Sequence, residues 1–290
     1  MRLVLLISGK LGQNCLERVL TSDYVIEAVF TDAGSKEIIR LCQVGNLPLF
    51  IGNPRKERAV DFISNLVCDV VISVNYLFIV SNNIINLPKK MAVNIHGSLL
   101  PKYRGRTPHV WAIINGEKYT GITVHKLDLE VDAGDILYQL KIPIEDTDTG
   151  GSILKKFELT YDTVIFDILK NIEENDLTLT RQMESMASYF GKRTEKDGLI
   201  DWNWCRERIY DWVRAQTKPY PGAFTYLNGR KIKVFNARYN DLGFHYKQEN
   251  GLVLLADPDR WIIKTPNGSL ELFDLEIEKG PPALKGEILG

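Results

Sequence analysis

The sequence predicts a doubly wound α/β fold with a central, mostly parallel sheet, followed by a small β-barrel. Three observations predict it. Leu3-Val4-Leu5-Leu6-Ile7 and Val70-Val71-Ile72-Ser73-Val74 are short, nearly continuous apolar runs, as a parallel strand requires when helices cover both its faces. Strand-like and helix-like patterns alternate from Leu3 to Leu169, the signature of successive βαβ units. Beyond Pro219-Tyr220-Pro221-Gly222 the pattern changes to short strands broken by Asn228-Gly229, Asn250-Gly251, Asp257-Pro258 and Asn267-Gly268, a spacing that suits a small barrel.

In chain order, the strand from Leu3 to Ile7 leads into a turn bracketed by Gly9 and Gly12, and Gln13 to Leu20 reads as a helix. Tyr24 to Thr31 is a strand, Ser35 to Val44 a helix, Pro48 to Phe50 a strand-like piece and Val60 to Leu66 a helix. Asp69 to Val74 and Met91 to Ile95 are central strands, the second ending in Asn94, His96 and Ser98. Pro108 to Asn115 then reads as a helix, Thr120 to Leu127 and Ile136 to Ile144 as strands, and Ser152 to Leu169 as a strongly periodic helix. The polar run Lys192 to Gly198 opens a linker. The expected division is therefore 1–192, a linker at 193–204, and 205–290, with a helix from Cys205 to Ala215 at the start of the last part.

The chain has 290 residues, 44% hydrophobic and 25% charged, with a formal net charge of -1. Extensive disorder is excluded by that composition, and no overall field favours nucleic acid or an anionic membrane. The four cysteines, Cys15, Cys42, Cys68 and Cys205, are widely spaced, which indicates neither a disulfide framework nor a zinc site. The apolar run after Met1 stops at Ser8-Gly9-Lys10, too short for a signal-peptide core. No stretch approaches the roughly 20 apolar residues that span a bilayer. A cytoplasmic address without membrane association is expected.

Chemistry is expected where the central strands end, because open parallel sheets bind ligands at the carboxyl ends of their strands. Asn94 and His96 are two residues apart, so their side chains share a face. Asp132, in the glycine-containing loop Asp132-Ala133-Gly134-Asp135, is in a position to fold back against them. Such a set suits acyl transfer: an imidazole handles the proton of an attacking amine, a carboxylate fixes its tautomer and raises its pKa, and an amide donor holds an oxyanion. Taken alone, a histidine at a strand end and an aspartate in a glycine turn are equally at home as structural residues.

The run Asn94-x-His96-Gly-Ser-Leu-Leu-Pro-Lys-Tyr-Arg-Gly-Arg106, followed by His125 and Asp132-x-Gly134-x-Ile136, resembles the signature of the folate-dependent formyltransferases. That group includes methionyl-tRNA formyltransferase, the glycinamide ribonucleotide enzyme and the nucleotide-sugar N-formyltransferases. The resemblance implies a Rossmann-like formyltransferase domain and an OB-like C-terminal barrel, with 10-formyltetrahydrofolate as donor, leaving as tetrahydrofolate, and no metal. It makes His96 the proton-transferring residue, Asp132 its carboxylate and Asn94 the oxyanion stabiliser. It also makes Asp128, Leu129, Glu130, Val131 and Asp132 the loop that wraps the pterin, Phe78, Ile79 and Val80 the opposite wall, and Arg106 a folate contact.

The acceptor is read from the finer match. Gly97 and Lys102-Tyr103-Arg104-Gly105-Arg106, with Asp197 to Trp202 and Pro219 to Phe224, resemble most closely the nucleotide-sugar enzymes, including the domain that formylates UDP-4-amino-4-deoxy-L-arabinose. An amino sugar linked to dTDP or UDP is the expected substrate, in the service of bacterial surface polysaccharide such as O-antigen or lipopolysaccharide. Gly9, Lys10, Tyr76, Ser98, Tyr103 and Arg104 are candidate substrate contacts, as are Trp212 and Tyr220, for stacking on a base, and Arg214, for a pyrophosphate. For Trp212, Arg214 and Tyr220 the alternative is a hydrophobic interdomain seam. Methionyl-tRNA is the competing acceptor, but residues 201–290 carry 13 Lys and Arg against 12 Asp and Glu, little encouragement for a polyanion. Exposed barrel edges leave room for a homodimer.

Overall fold

A computed structural model describes residues 1–278 and 280–290, the side chain of residue 162 excepted. In chain order the elements are β1 (Arg2–Ile7), α1 (Gly9–Leu20), β2 (Val25–Thr31), α2 (Lys36–Val44), β3 (Leu49–Ile51), α3 (Glu57–Ser64), β4 (Val70–Val74), α4 (Asn82–Ile85), β5 (Met91–His96) and β6 (Arg104–Gly105). There follow α5 (Pro108–Ile114), β7 (Tyr119–Lys126), β8 (Ile136–Pro143), α6 (Gly150–Glu174), β9 (Tyr189–Phe190) and α7 (Arg206–Gln216). The chain ends with β10 (Ala223–Leu227), β11 (Arg230–Asn240), β12 (Val253–Asp257), β13 (Arg260–Thr265) and β14 (Gly268–Ile277).

Two compact units emerge, and they interleave along the chain. The first comprises Met1–Gly105, Gly121–Ile142 and Lys155–Tyr189; the second comprises Arg106–Thr120, Pro143–Leu154 and Phe190–Gly290.

The first unit carries a seven-stranded sheet in the order β3-β2-β1-β4-β5-β7-β8. β1 pairs in parallel with β2 and β4, and β4 with β5, whereas β5 and β7 are antiparallel. Leu3 to Ile7 are all fully buried, which is why this run reads as unbroken hydrophobe. α6 supplies Phe157, Tyr161, Ile165, Ile168 and Ile172 to the interior, a spacing of three and four that makes one apolar face. It extends beyond the expected end at Leu169 because that face continues to Ile172.

The expected turn at Gly9 to Gly12 is instead the first turn of α1. Gly9 enters the helix at φ +62°, and a Cβ on Gly12 would lie 2.8 Å from that of Ile7. The two glycines let the helix start early and lie close on β1, rather than bracketing a loop.

In the second unit β10-β11-β14-β13-β12 form an antiparallel sheet. The C-terminal segment reaches both of its edges: Leu289 N–H donates to Gly251 O and Gly290 N–H to Tyr226 O. Trp261, Val234, Leu270 and Leu272 fill its core. The segment expected as a linker, 193–204, adds Ile200 and Trp202 to that core and contains a helical turn, Glu195–Gly198, closed by a Thr194–Asp197 capping box. Among the described residues no helix is long and apolar enough to cross a membrane.

Candidate active site

The antiparallel join of β5 and β7 builds the floor of the site. Asn94 lies directly opposite His125, and His96 opposite Thr123. Residues facing one another across a ladder project to the same side, so Asn94, His96 and His125 share one face. The connection from β7 to β8 then brings Asp132 onto it. Two backbone features make that return possible. Asp132 adopts φ +55°, and a Cβ on Gly134 would sit 2.0 Å from Lys126 O, so only glycine lets the loop lie so close to β7.

The resulting contacts fix most of the hydrogens. His96 Nε2 is 2.8 Å from Tyr103 O; a carbonyl only accepts, so Nε2 carries the proton and Nδ1 presents its lone pair. Nδ1 is 3.4 Å from Asp132 Oδ2. His125 has the opposite tautomer: Nδ1 donates to Lys126 O at 2.7 Å, leaving Nε2 to accept from Asn94 Nδ2 at 3.1 Å. That contact orients the Asn94 amide, whose second N–H points toward Asp132 Oδ1 at 3.5 Å. Gly105 N–H donates to Asp132 Oδ2 at 2.8 Å.

His96 is buried, and burial pulls its pKa below the ordinary 6.5 against the opposing pull of Asp132 and the Tyr103 carbonyl. The carboxylate does pull it upward, as expected, but desolvation of the cation outweighs the ion pair and the net shift is downward. For Asp132 burial pushes the carboxyl up, but the two histidines and the Gly105 amide together hold it well below the usual carboxylate range. At neutral pH the site thus holds a carboxylate, a neutral imidazole with its lone pair inward, and an amide donor.

The other expected residues divide by location. Val80 is buried and shares a core cluster with Leu127, while Ile79 is 54% exposed, as are Leu129 (58%) and Val131 (45%). Phe78 is half-buried against Tyr76, and Asp128 and Glu130 are exposed. Tyr76 donates its hydroxyl to Gly52 O, Gly9 N–H donates to Ser35 Oγ, and Lys10 is exposed. Arg106, exposed, belongs to the second unit.

Several expected substrate contacts are engaged internally, and those assignments are corrected. Ser98 is buried and donates to Lys102 O. Tyr103 is buried and serves the site through its carbonyl. Arg104 is 0% exposed, and all five of its N–H donors go to Gln182, Glu184 and Tyr189. In the second unit Trp212 lies under the Arg193 guanidinium, packs its ring against Trp204 and donates to Gly198 O. Arg214 donates to Asp211, Glu145 O and Asp148 O. Tyr220 bonds His109 Nε2 at 2.6 Å, and burial pushes its hydroxyl up to about 12. All of these partners lie within the second unit.

His125 gains a role that its place in the motif did not specify; the antiparallel register of β7 on β5 is the signal that reveals it. Among the described residues no group of three or more His, Cys, Asp or Glu is arranged to hold a metal.

A neutral imidazole, a carboxylate and an amide donor thus meet at the end of a central strand. The chain belongs to the formyl transferase family: the family's formyl transferase model matches residues 2–168 and its C-terminal domain model residues 192–287. It is similar to the bifunctional polymyxin resistance protein ArnA of Wigglesworthia glossinidia brevipalpis, 36% identical over 278 residues that make up 92% of this chain and 41% of that protein. The chain thus spans about two fifths of that relative's length. Among solved structures it resembles WlaRD, a sugar 3N-formyl transferase crystallised in the presence of dTDP and 5-N-formyl-THF (TM-score 0.74, 20% identity, 94% of this chain and 97% of that one). It also resembles the N-formyltransferase of Helicobacter canadensis in complex with folinic acid and dTDP-3-aminofucose (TM-score 0.71, 18% identity, 95% and 99%).

Proposed function

We propose that this enzyme transfers the formyl group of 10-formyltetrahydrofolate to the amino group of a nucleotide-linked amino sugar. The observation that carries the reading is the meeting of Asn94, His96 and Asp132 at the end of the central strand β5. Support for the donor comes from the open apolar side chains of Ile79, Leu129 and Val131 and from the folates named for the two solved relatives. Support for the acceptor comes from the dTDP and dTDP-sugar named for those relatives. The kinship with a polymyxin resistance protein favours a role in bacterial surface polysaccharide.

The bound folate supplies a formyl amide already activated for transfer. The residues of the chain do the rest. His96 Nδ1 accepts the proton that the amine loses on attacking the formyl carbon, and returns it to the departing nitrogen. Asp132 stabilises the imidazolium while it exists. The second Asn94 N–H, which lies at the long distance of 3.5 Å from Asp132 Oδ1, turns from that oxygen to the formyl oxygen as negative charge gathers there.

The test supplies 10-formyltetrahydrofolate to the purified chain with a panel of dTDP-, UDP- and GDP-linked amino sugars, and separately with methionyl-tRNA. The expected result is tetrahydrofolate release matched by an N-formyl sugar in the mass spectrum. Formylation of methionyl-tRNA alone would overturn the acceptor.

A further inference from the structure

Asp132 sits in the left-handed region at φ +55°, and one side chain spans the carbonyls around it. Gln182 is buried, 50 residues away in sequence, and donates one amide hydrogen to Asp132 O at 2.7 Å and the other to Gly134 O at 2.7 Å. Its own oxygen accepts from Arg104 Nε at 3.2 Å and Nη2 at 2.9 Å. Every hydrogen-bonding position of this amide is therefore used, and none goes to solvent or ligand. Arg104 is held in turn by Glu184 and Tyr189, and Tyr189 also reaches Glu130 Oε1 at 3.0 Å. The same segment forms backbone bonds with its neighbours: Thr180 pairs with Ile136, and Arg104 N–H donates to Ser188 O. Arg104 directly precedes Gly105, whose N–H holds the Asp132 carboxylate.

We propose that Gln182, braced by Arg104, is the positioning residue that seats Asp132 against His96. The inference rests on the reading that Asp132 serves His96 in formyl transfer, and it is independent of which amine accepts the group. Gln182 touches no reacting atom. It neutralises two carbonyls that would otherwise be buried without donors, and so keeps the loop in the left-handed turn that aims the carboxylate inward. Through Arg104 the same segment sets the amide of Gly105. One strap thus fixes both the backbone of Asp132 and the partner of its side chain.

The test is a double-mutant cycle between Gln182→Met and Asp132→Asn. Displacing a catalytic group by an ångström costs on the order of 10²-fold, so Gln182→Met is expected to lower kcat about 30-fold. KM for the formyl donor should rise by a smaller factor than kcat falls, because Gln182 holds the Asp132 and Gly134 carbonyls and makes no bond to Leu129 or Val131. In the Asp132→Asn background the same substitution should cost less than about twofold, since there is no carboxylate left to misplace. Independent, multiplying losses would overturn the proposal. Gln182→Glu keeps the shape and removes both donors; should the methionine variant not fold, it carries the cycle. Its activity relative to the native chain should climb as pH falls and the neutral acid regains one donor, and a flat ratio would count against the proposal. The cycle can also be read without folate or acceptor, from the His96 titration by NMR. Asp132→Asn and Gln182→Met should each lower its midpoint, and the double variant should go no lower than Asp132→Asn alone. If the native chain formylates no amino sugar, the acceptor reading fails, while the titration cycle still decides the role of Gln182.

Discussion

Replacing Asp132 by Asn removes one negative charge from the site and little else. The side chain keeps its size, and its remaining oxygen can still accept from Gly105 N–H, now 2.8 Å from Oδ2. What is lost is the field on His96. A unit charge 3.4 Å from Nδ1 stabilises an imidazolium there by about 5 kcal/mol at an effective dielectric constant of ~20. The amide dipole that replaces it recovers part of this. Loss of about 3–4 kcal/mol from the transition state corresponds to a decrease in kcat of about 10²–10³-fold. A continuous assay of tetrahydrofolate release, with thermal unfolding by circular dichroism to show that the variant folds, measures both quantities. A folded Asp132→Asn enzyme within threefold of native kcat would refute the assignment of Asp132, and with it the claim that proton transfer through His96 needs a charged partner.

Three further outcomes follow from the same geometry. Asn94→Ala removes the amide proposed to hold the oxyanion and should cost about 10²–10³ in kcat; an unchanged kcat in single-turnover kinetics would place the oxyanion elsewhere. With His96 as the proposed base and burial holding its pKa below 6.5, kcat/KM should fall on the acid side with a midpoint below that value. A limb centred above pH 6.5 that disappears in His96→Asn would show that the ion pair, not desolvation, dominates. Gly134→Ala places a methyl 2.0 Å from Lys126 O, so the loop must move. Activity should fall at least tenfold even where the melting temperature changes little, and a fully active variant would show that the loop tolerates displacement.

Much of the fold was legible because its signals are local. The apolar run of β1 is buried on both faces, and the three- and four-residue spacing of α6 is its interior face. Asn94, His96 and Asp132 were legible through their motif, and the period of two predicted that the first two share a face. Arg104 was misread for a physical reason. A cation in a motif beside the catalytic residues suggests an anionic ligand, whereas its actual partners, Gln182, Glu184 and Tyr189, lie 78 to 85 residues away in sequence. Nothing local marks that a buried strap will use all its donors. The roles of Trp212, Arg214 and Tyr220 were hidden in the same way: their partners, Arg193, Asp148 and His109, lie 19, 66 and 111 residues from them in the chain.

The two histidines explain why such a site suits an amine. Each carries its proton on the nitrogen that faces a backbone carbonyl, Tyr103 O for His96 and Lys126 O for His125. The other ring nitrogens, His96 Nδ1 and His125 Nε2, lie 3.4 and 3.5 Å from Asp132, and the second of them already accepts from Asn94. Around the carboxylate there are more acceptors than donors: two ring nitrogens and two carboxylate oxygens face the Asn94 amide and the Gly105 N–H. A group that brings hydrogens into that space satisfies it, and a group that brings further lone pairs does not. A primary amine brings hydrogens, and it becomes a stronger donor as it attacks and gains positive charge. The carboxylate and the inward lone pair of His96 therefore interact more strongly with the amine as the reaction proceeds than when it first binds. A preference that grows along the reaction coordinate lowers a barrier, whereas one that is constant only tightens binding.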